Sequence, residues 1–209
     1  MKDTETSTSD RLLEIIAVVL LAVAIVGTAW CGYQSSAWNG VQTDLSRQSS
    51  DQRVEANRQF GLATQRVAYD STLVADYAQA VQAGNTQLAQ FYRTTLVRPE
   101  FLPILDSWQA QVAAGKTPTN LVEDEAYLKA QFQAYNDAAA KAEELNTAGQ
   151  AAGSTANDYV LTTILLAVAL FFAGVTSSFR YKPARALLIV FALGTVAVAA
   201  SRLADLPIA

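Results

Sequence analysis

Three long apolar runs, separated by a polar middle, set the plan of this chain. The first spans residues 12–33, with Glu14 at its inner edge and an uncharged core over residues 15–30. The second spans residues 159–179 and carries no charge. The third spans residues 184–204, uncharged over residues 186–201. A helix rises about 1.5 Å per residue, so roughly 20 residues cross a bilayer core of ~30 Å. The second run meets that length, and the first and third meet it with their flanks. Three such runs at the two ends of a polar middle predict three transmembrane helices rather than three buried helices of a soluble fold.

The middle predicts helices. Residues 41–83 hold no proline and one glycine, Gly61. Phe60, Val67, Val74 and Val81 recur every seven residues, with Ala63 and Tyr77 three along, and this keeps one face apolar along a long helix. Asp70 breaks that seam, which makes it a bundle-packing face more than a coiled coil. Nothing stops this helix from continuing the first apolar run, with Gly32 and Gly40 as candidate bends. Gly84-Asn85 is a stop-and-restart signal. A second helix follows over residues 86–97 and is interrupted by Arg98-Pro99-Glu100-Phe101-Leu102-Pro103. A third, over residues 104–113, carries Leu105, Trp108 and Val112 at helical spacing. Residues 115–119 form a loop. Asn120 with Glu123 has the form of a capping box opening a fourth helix. In that helix Leu121, Leu128, Phe132, Tyr135, Ala139 and Ala142 keep a 3-4 rhythm to about Thr147, interrupted by Glu125. Residues 149–157, small and polar, are a hinge or a weak helical continuation.

Both ends of the middle enter the same membrane face, so its first and fourth helices run in opposite directions. The expected fold is all-α: three transmembrane helices plus an antiparallel extramembrane helical bundle, the first bundle helix continuous with the first transmembrane helix. The organisation is a tail over 1–11, transmembrane helices at 12–33, 159–179 and 184–204, a helical bundle over 34–158, a basic hinge at 180–183 and a tail at 205–209.

Charge then orients the chain. Arg180, Lys182 and Arg185 lie in the short hinge, and Lys2 and Arg11 near the N-terminus; Arg47, Lys141 and Arg202 lie on the other side. Five against three predicts a cytoplasmic N-terminus and an extracytoplasmic middle domain. Trp30, Tyr33, Trp38 and Tyr159 fit an aromatic belt on the outer side. Gly27-Thr28-Ala29 would serve as a signal-peptidase site, but Asp3, Glu5, Asp10 and Glu14 outnumber Lys2 and Arg11 ahead of it and the apolar run is long for a signal sequence. Bulky Trp30 before Cys31 argues against lipoprotein processing.

Composition narrows the chemistry. Net charge is −4, from 15 basic and 19 acidic residues, with no basic cluster, so nucleic acid is not an expected partner. Cys31 is the single cysteine and there is no histidine. That excludes an intramolecular disulfide, histidine metal sites, and Ser/His/Asp or Cys/His catalysis. No catalytic, cofactor-binding or metal residue is assigned, and no cofactor is expected.

Several constellations still carry two readings. Asp124 with Glu125, and Glu143 with Glu144, are adjacent on a helix and do not face one another, which favours a solvated face over catalysis. Arg93 and Arg98 with Glu100 and Asp106 flank the prolines as a salt-bridged turn or an anion-binding elbow. Phe91, Tyr92, Phe101 and Trp108 make a core or line a ligand pocket. Gly174 and Ser178, four apart, are a small-residue pair of the kind that marks close helix contact. Glu14 and Arg202 sit near helix ends, where snorkelling suffices.

Thr28-Ala-Trp-Cys-Gly-Tyr-Gln34 with Trp38-Asn-Gly-Val-Gln42, Phe91-Tyr-Arg93 followed by Arg98-Pro-Glu-Phe101 and Trp108, and Leu170-Phe-Phe-Ala-Gly174 leading to Phe179-Arg180 span most of the chain. As a set they resemble an uncharacterised family of bacterial inner-membrane proteins. The resemblance implies the topology above and a bacterial envelope location, and transfers no site. The expected function is non-enzymatic: a structural or accessory membrane protein, with the lipid bilayer and a second copy or another membrane protein as partners. The alternatives are an extracytoplasmic ligand-sensing module signalling through a separate partner, and an oligomeric channel or transporter subunit.

Overall fold

The computed structural model describes residues 8–117, 120, 124–179 and 181–209. Among these residues five α-helices carry the fold: α1, Thr8–Gln82; α2, Thr86–Phe91; α3, Leu102–Ala113; α4, Glu125–Val175; and α5, Lys182–Asp205. A π-helical turn, Tyr92–Leu96, extends α2, and 3-10 turns occupy Pro99–Phe101 and Thr176–Ser178. Among the described residues there is no strand. Three helices, α1, α4 and α5, contain stretches long and apolar enough to cross a membrane.

Two elements are continuous where the sequence left a bend or a hinge as an alternative. Gly32 and Gly40 lie inside the uninterrupted α1. Residues 149–157 are no hinge: they belong to α4, with Gly149, Ala152, Gly153 and Ala156 buried. Gly149 and Gly153 weaken an isolated helix but admit a close neighbour. A β-carbon on Gly153 would lie 2.7 Å from the Gln42 amide, and one on Gly149 would lie 3.5 Å from Leu45 Cβ.

The chain divides into two compact units, one of Gln48–Glu144 and one of the residues on either side. In the flanking unit the buried positions follow a seven-residue repeat on each helix: Ala17, Ala24 and Cys31 on α1; Ala152, Tyr159, Leu166 and Ala173 on α4; Ala192 and Ala199 on α5. A sustained repeat of seven keeps one seam of each helix on its partners. The seam is mostly alanine, so backbones approach closely. Gly27 faces Leu166, with 3.0 Å from its would-be β-carbon to Leu166 Cδ1. Gly174 is exposed and has nothing within 4 Å of a built β-carbon, so the close contacts fall at Gly27, Gly149 and Gly153, not at the Gly174–Ser178 pair. Large apolar side chains point outward on all three helices, among them Ile15, Val26, Leu161, Phe171, Val190 and Phe191. The residues after α5 fold back: the Trp38 indole N–H and the Tyr159 hydroxyl both donate to the Pro207 carbonyl, at 3.0 and 3.1 Å, and the Ala209 N–H donates to Gln34 Oε1 at 2.9 Å.

In the Gln48–Glu144 unit the seam of α1 is Ser49, Ala56, Ala63, Asp70 and Tyr77, each seven residues apart and each buried. The valine stripe sits beside it: Val74 is buried, Val67 half-buried, and Phe60 and Val81 exposed. Large apolar residues mark the flank because the closest approach accepts only small side chains. Ser49 shows how close: its hydroxyl donates to the Ala142 carbonyl of α4 at 2.8 Å. Phe60 covers the edge of the seam with Phe132 and Tyr135, ring centroids 5.6 and 5.4 Å away. Leu73, Val74, Tyr77, Ala80, Ala89, Val97, Phe101, Leu105 and Tyr127 form the apolar core.

Turn chemistry at the end of α1 matches the sequence. Gly84 has φ +67°, and Asn85 caps α2 by accepting from the Leu88 N–H at 3.0 Å. Ala in place of Gly84 would meet no neighbour but would hold an L side chain in the left-handed region. Gly84→Ala is therefore expected to cost about 1 kcal/mol, read as a small loss of thermal stability by the detergent-solubilised chain.

Candidate functional site

The polar centre of the Gln48–Glu144 unit is a carboxylate placed inside its core. Asp70 is 0% exposed. Its position on α1 is a seam position, so the helix repeat itself turns the carboxylate inward. Three donors meet it. Arg98, in the stretch between the π turn and Pro99, reaches Oδ1 through Nε at 3.2 Å and Oδ2 through a terminal guanidinium nitrogen. The Tyr127 hydroxyl, on the first turn of α4, donates to Oδ2 at 2.8 Å. A buried charge is tolerable only when paired and hydrogen-bonded, and here a two-pronged guanidinium contact and a phenol supply that. Burial, then the hydrogen bond to Asp70, pushes the Tyr127 phenol well above the usual tyrosine range, so it stays a donor. The hydrogen bond to Asp70 likewise raises the Arg98 guanidinium. Pro99 holds Arg98 extended, φ −65° and ψ 143°, which directs the chain from the π turn across α1.

Beside this network a cleft of about 440 Å³ opens between α3 and the start of α4. Pro103, Ile104 and Trp108 form its apolar wall; Glu100, Ser107, Gln111, Asp124 and Gln131 bring polar groups; the Tyr127 ring closes one side. Trp108 is set edge-on to Tyr77, ring centroids 6.4 Å apart at 72°. Asp124 opens α4, accepting from the Tyr127 N–H at 2.8 Å. α4 runs from Glu125 with Asp124 as a cap on its first turn. Glu123, the other half of the expected capping box, lies outside the described residues, as do Leu121, Pro118, Thr119 and Arg180 and the N-terminal residues through Ser7. Asp124→Ala is expected to cost about 1 kcal/mol through loss of the cap, whereas Asp124→Asn keeps a capping oxygen and most of that stability. Urea titration of the two variants side by side checks the order.

The other polar and aromatic candidates separate. Arg93 pairs with Asp106 at 2.6 Å and with the Gln109 amide oxygen at 3.0 Å. Arg93 and Arg98 therefore brace a turn with protein partners, and the elbow is a salt-bridged one. Glu144 binds Lys141 at 2.8 Å and Glu143 lies 4.0 Å from Arg53, all on exposed side chains. Of the aromatic set, Phe101 is core, Tyr92 and Trp108 are half-buried against it, and Phe91 is exposed. Cys31 is buried in the flanking unit as a free thiol. Among the described residues no three His, Cys, Asp or Glu side chains are placed to share a metal ion.

Sequence reasoning missed Asp70 and Tyr127. Both stood at helical spacing to apolar neighbours, and Asp70 fell in register with Ala56, Ala63 and Tyr77. The signal was a charge on a small-residue seam, legible only once the seam itself is located.

Comparison of the chain with protein-family models, with curated proteins and with solved structures gave no match.

Proposed function

We propose that this is a non-enzymatic integral membrane protein of the bacterial inner membrane, with α1, α4 and α5 as its spans and the Gln48–Glu144 unit as an extracytoplasmic helical head that engages a membrane partner or a second copy. The observation that carries the reading is the outward apolar surface shared by all three long helices, from Ile15 and Val26 through Leu161 and Phe171 to Val190 and Phe191. Water would penalise so much exposed hydrocarbon, and lipid would not. The contacts of α1 with α4 support an antiparallel pair. In the flanking unit Gly27 meets Leu166 while Gln42 meets Gly153; in the head Ser49 meets Ala142 while Asp70 meets Tyr127. The basic residues Lys182 and Arg185 support a cytoplasmic hinge.

The test uses a Cys31→Ser background carrying one new cysteine, at exposed Ala75 or exposed Tyr181. A membrane-impermeant maleimide applied to intact cells should label Ala75→Cys and not Tyr181→Cys. The reverse pattern, or labelling of both, overturns the topology. Native mass spectrometry in a gentle detergent tests the binding role. A bare monomer with no associated protein overturns that part.

A second reading, an extracytoplasmic sensor acting through a separate signalling partner, is favoured by the cleft between α3 and α4.

A further inference from the structure

We propose that the cleft between α3 and α4 binds a small organic cation, a primary or quaternary amine with an aromatic or alkyl body. Its ammonium would be balanced by Glu100 and Asp124 and its body packed on Trp108. This inference rests on the sensor reading of the head and names the ligand class such a site would take.

Volume and lining both point this way. About 440 Å³ lies within the range of small-molecule pockets. The lining combines an apolar wall with a few polar groups, the pattern of a site that encloses a ligand body and fixes its orientation. Among the described lining residues the formal charges are all negative: Glu100 and Asp124, with no lysine or arginine. The nearest arginine of the network, Arg98, is committed to Asp70 through both prongs of its guanidinium. An anionic ligand would therefore meet two carboxylates without a counter-charge. A purely apolar ligand would strip water from Ser107, Gln131 and the carboxylates without replacing it, which costs free energy at each group. An ammonium satisfies the acids, and its body uses the Pro103, Ile104 and Trp108 wall.

Trp108 adds the second half of the recognition. A cation over an indole face is attracted by the ring quadrupole, most strongly where water is excluded. Tyr77 meets the indole edge-on, a ring contact that helps to orient it. Tyr127 makes the site rigid from below: its ring lines the cleft while its hydroxyl is tied to Asp70. Asp124 is held by its cap bond to the Tyr127 N–H, which leaves the rest of its carboxylate available to an ammonium.

The test is isothermal titration of the full chain in nanodiscs, with benzylamine at neutral pH as the cationic probe and benzyl alcohol as its neutral near-isostere. The expected result is saturable binding of benzylamine and at least about tenfold weaker binding of benzyl alcohol. Glu100→Gln and Asp124→Asn should each weaken benzylamine by about tenfold or more, since each removes a charge and keeps the shape. Lipid partitioning is common to all variants and subtracts out. Asp124→Asn retains a capping oxygen and Glu100 is exposed, so both variants should stay folded with melting temperatures close to the parent's. If only one folds, that one decides. No saturable binding of benzylamine, equal binding of benzyl alcohol, or unchanged affinity in the folded variants would each overturn the proposal. The topology and partner tests above do not depend on this outcome, so failure here removes the ligand and leaves the membrane reading standing.

Discussion

Asp70→Ala should destabilise the head by about 3 kcal/mol, the largest loss expected from any single polar substitution in this chain. The substitution does more than delete an ion pair. It leaves the Tyr127 hydroxyl without its Asp70 acceptor and Arg98 without its direct carboxylate partner, with only the longer-range charge of Glu100 nearby. The Arg98 side chain is 26% exposed, so part of its charge recovers hydration, and the expected cost sits at the low end of the range for breaking a buried pair. Asp70→Asn should cost less, because the amide oxygen still accepts from Tyr127. Arg98→Met should also be milder than Asp70→Ala when made together with Asp70→Leu, since removing both charges leaves none stranded. Pulse proteolysis of the detergent-solubilised chain ranks the three variants against the parent. If Asp70→Ala were as stable as the parent, the network would be ornamental and the core would rest on its apolar contacts alone.

Phe101→Ala should lose about 3–5 kcal/mol, while Phe91→Ala should stay within about 0.5 kcal/mol of the parent. Both belong to one short aromatic-rich stretch, and nothing local separates them. Phe101 is 1% exposed and stacks edge-on against Tyr127, ring centroids 5.7 Å apart. Truncating it opens a cavity in the core and removes the ring that keeps Tyr127 pointed at Asp70. Phe91 is 49% exposed on α2 and has surface to give up without leaving a void. The comparison therefore separates core packing from exposed aromatic surface within one stretch. Equal losses would mean that α2 is covered by a partner, and the solution state of the head would then have to be revised.

The contrast between these two phenylalanines indicates where local pattern runs out. Hydropathy sufficed for the three apolar helices, because membrane-crossing length is a property of contiguous sequence. The Gly84-Asn85 restart and the interruption at Pro99 were equally legible, since turn chemistry is set by the residues that make the turn. The 149–157 stretch left two readings open, a hinge or a helical continuation, and the continuation is what forms. Its two glycines, with Ser154, Thr155 and Asn157, lower helix propensity, and the neighbouring α1, seated against Gly149 and Gly153, favours the helix. At the start of α4 the Asp124 side chain accepts from the Tyr127 N–H, a cap that local pattern did not single out.

What the sequence determined by itself is the set of helices, their apolar or polar character and the narrow range of chemistry open to a chain with one cysteine and no histidine. The tertiary structure alone decided which face of α1 is the seam. Periodicity in valine and phenylalanine marked a flank, because close helix contact selects small residues and leaves larger ones beside it. It also decided that Asp70 is a partner and not an interruption: a carboxylate acquires that role only when an arginine 28 residues away and a tyrosine 57 residues away converge on it. Burial and pairing are properties of that convergence, and no window of sequence contains them.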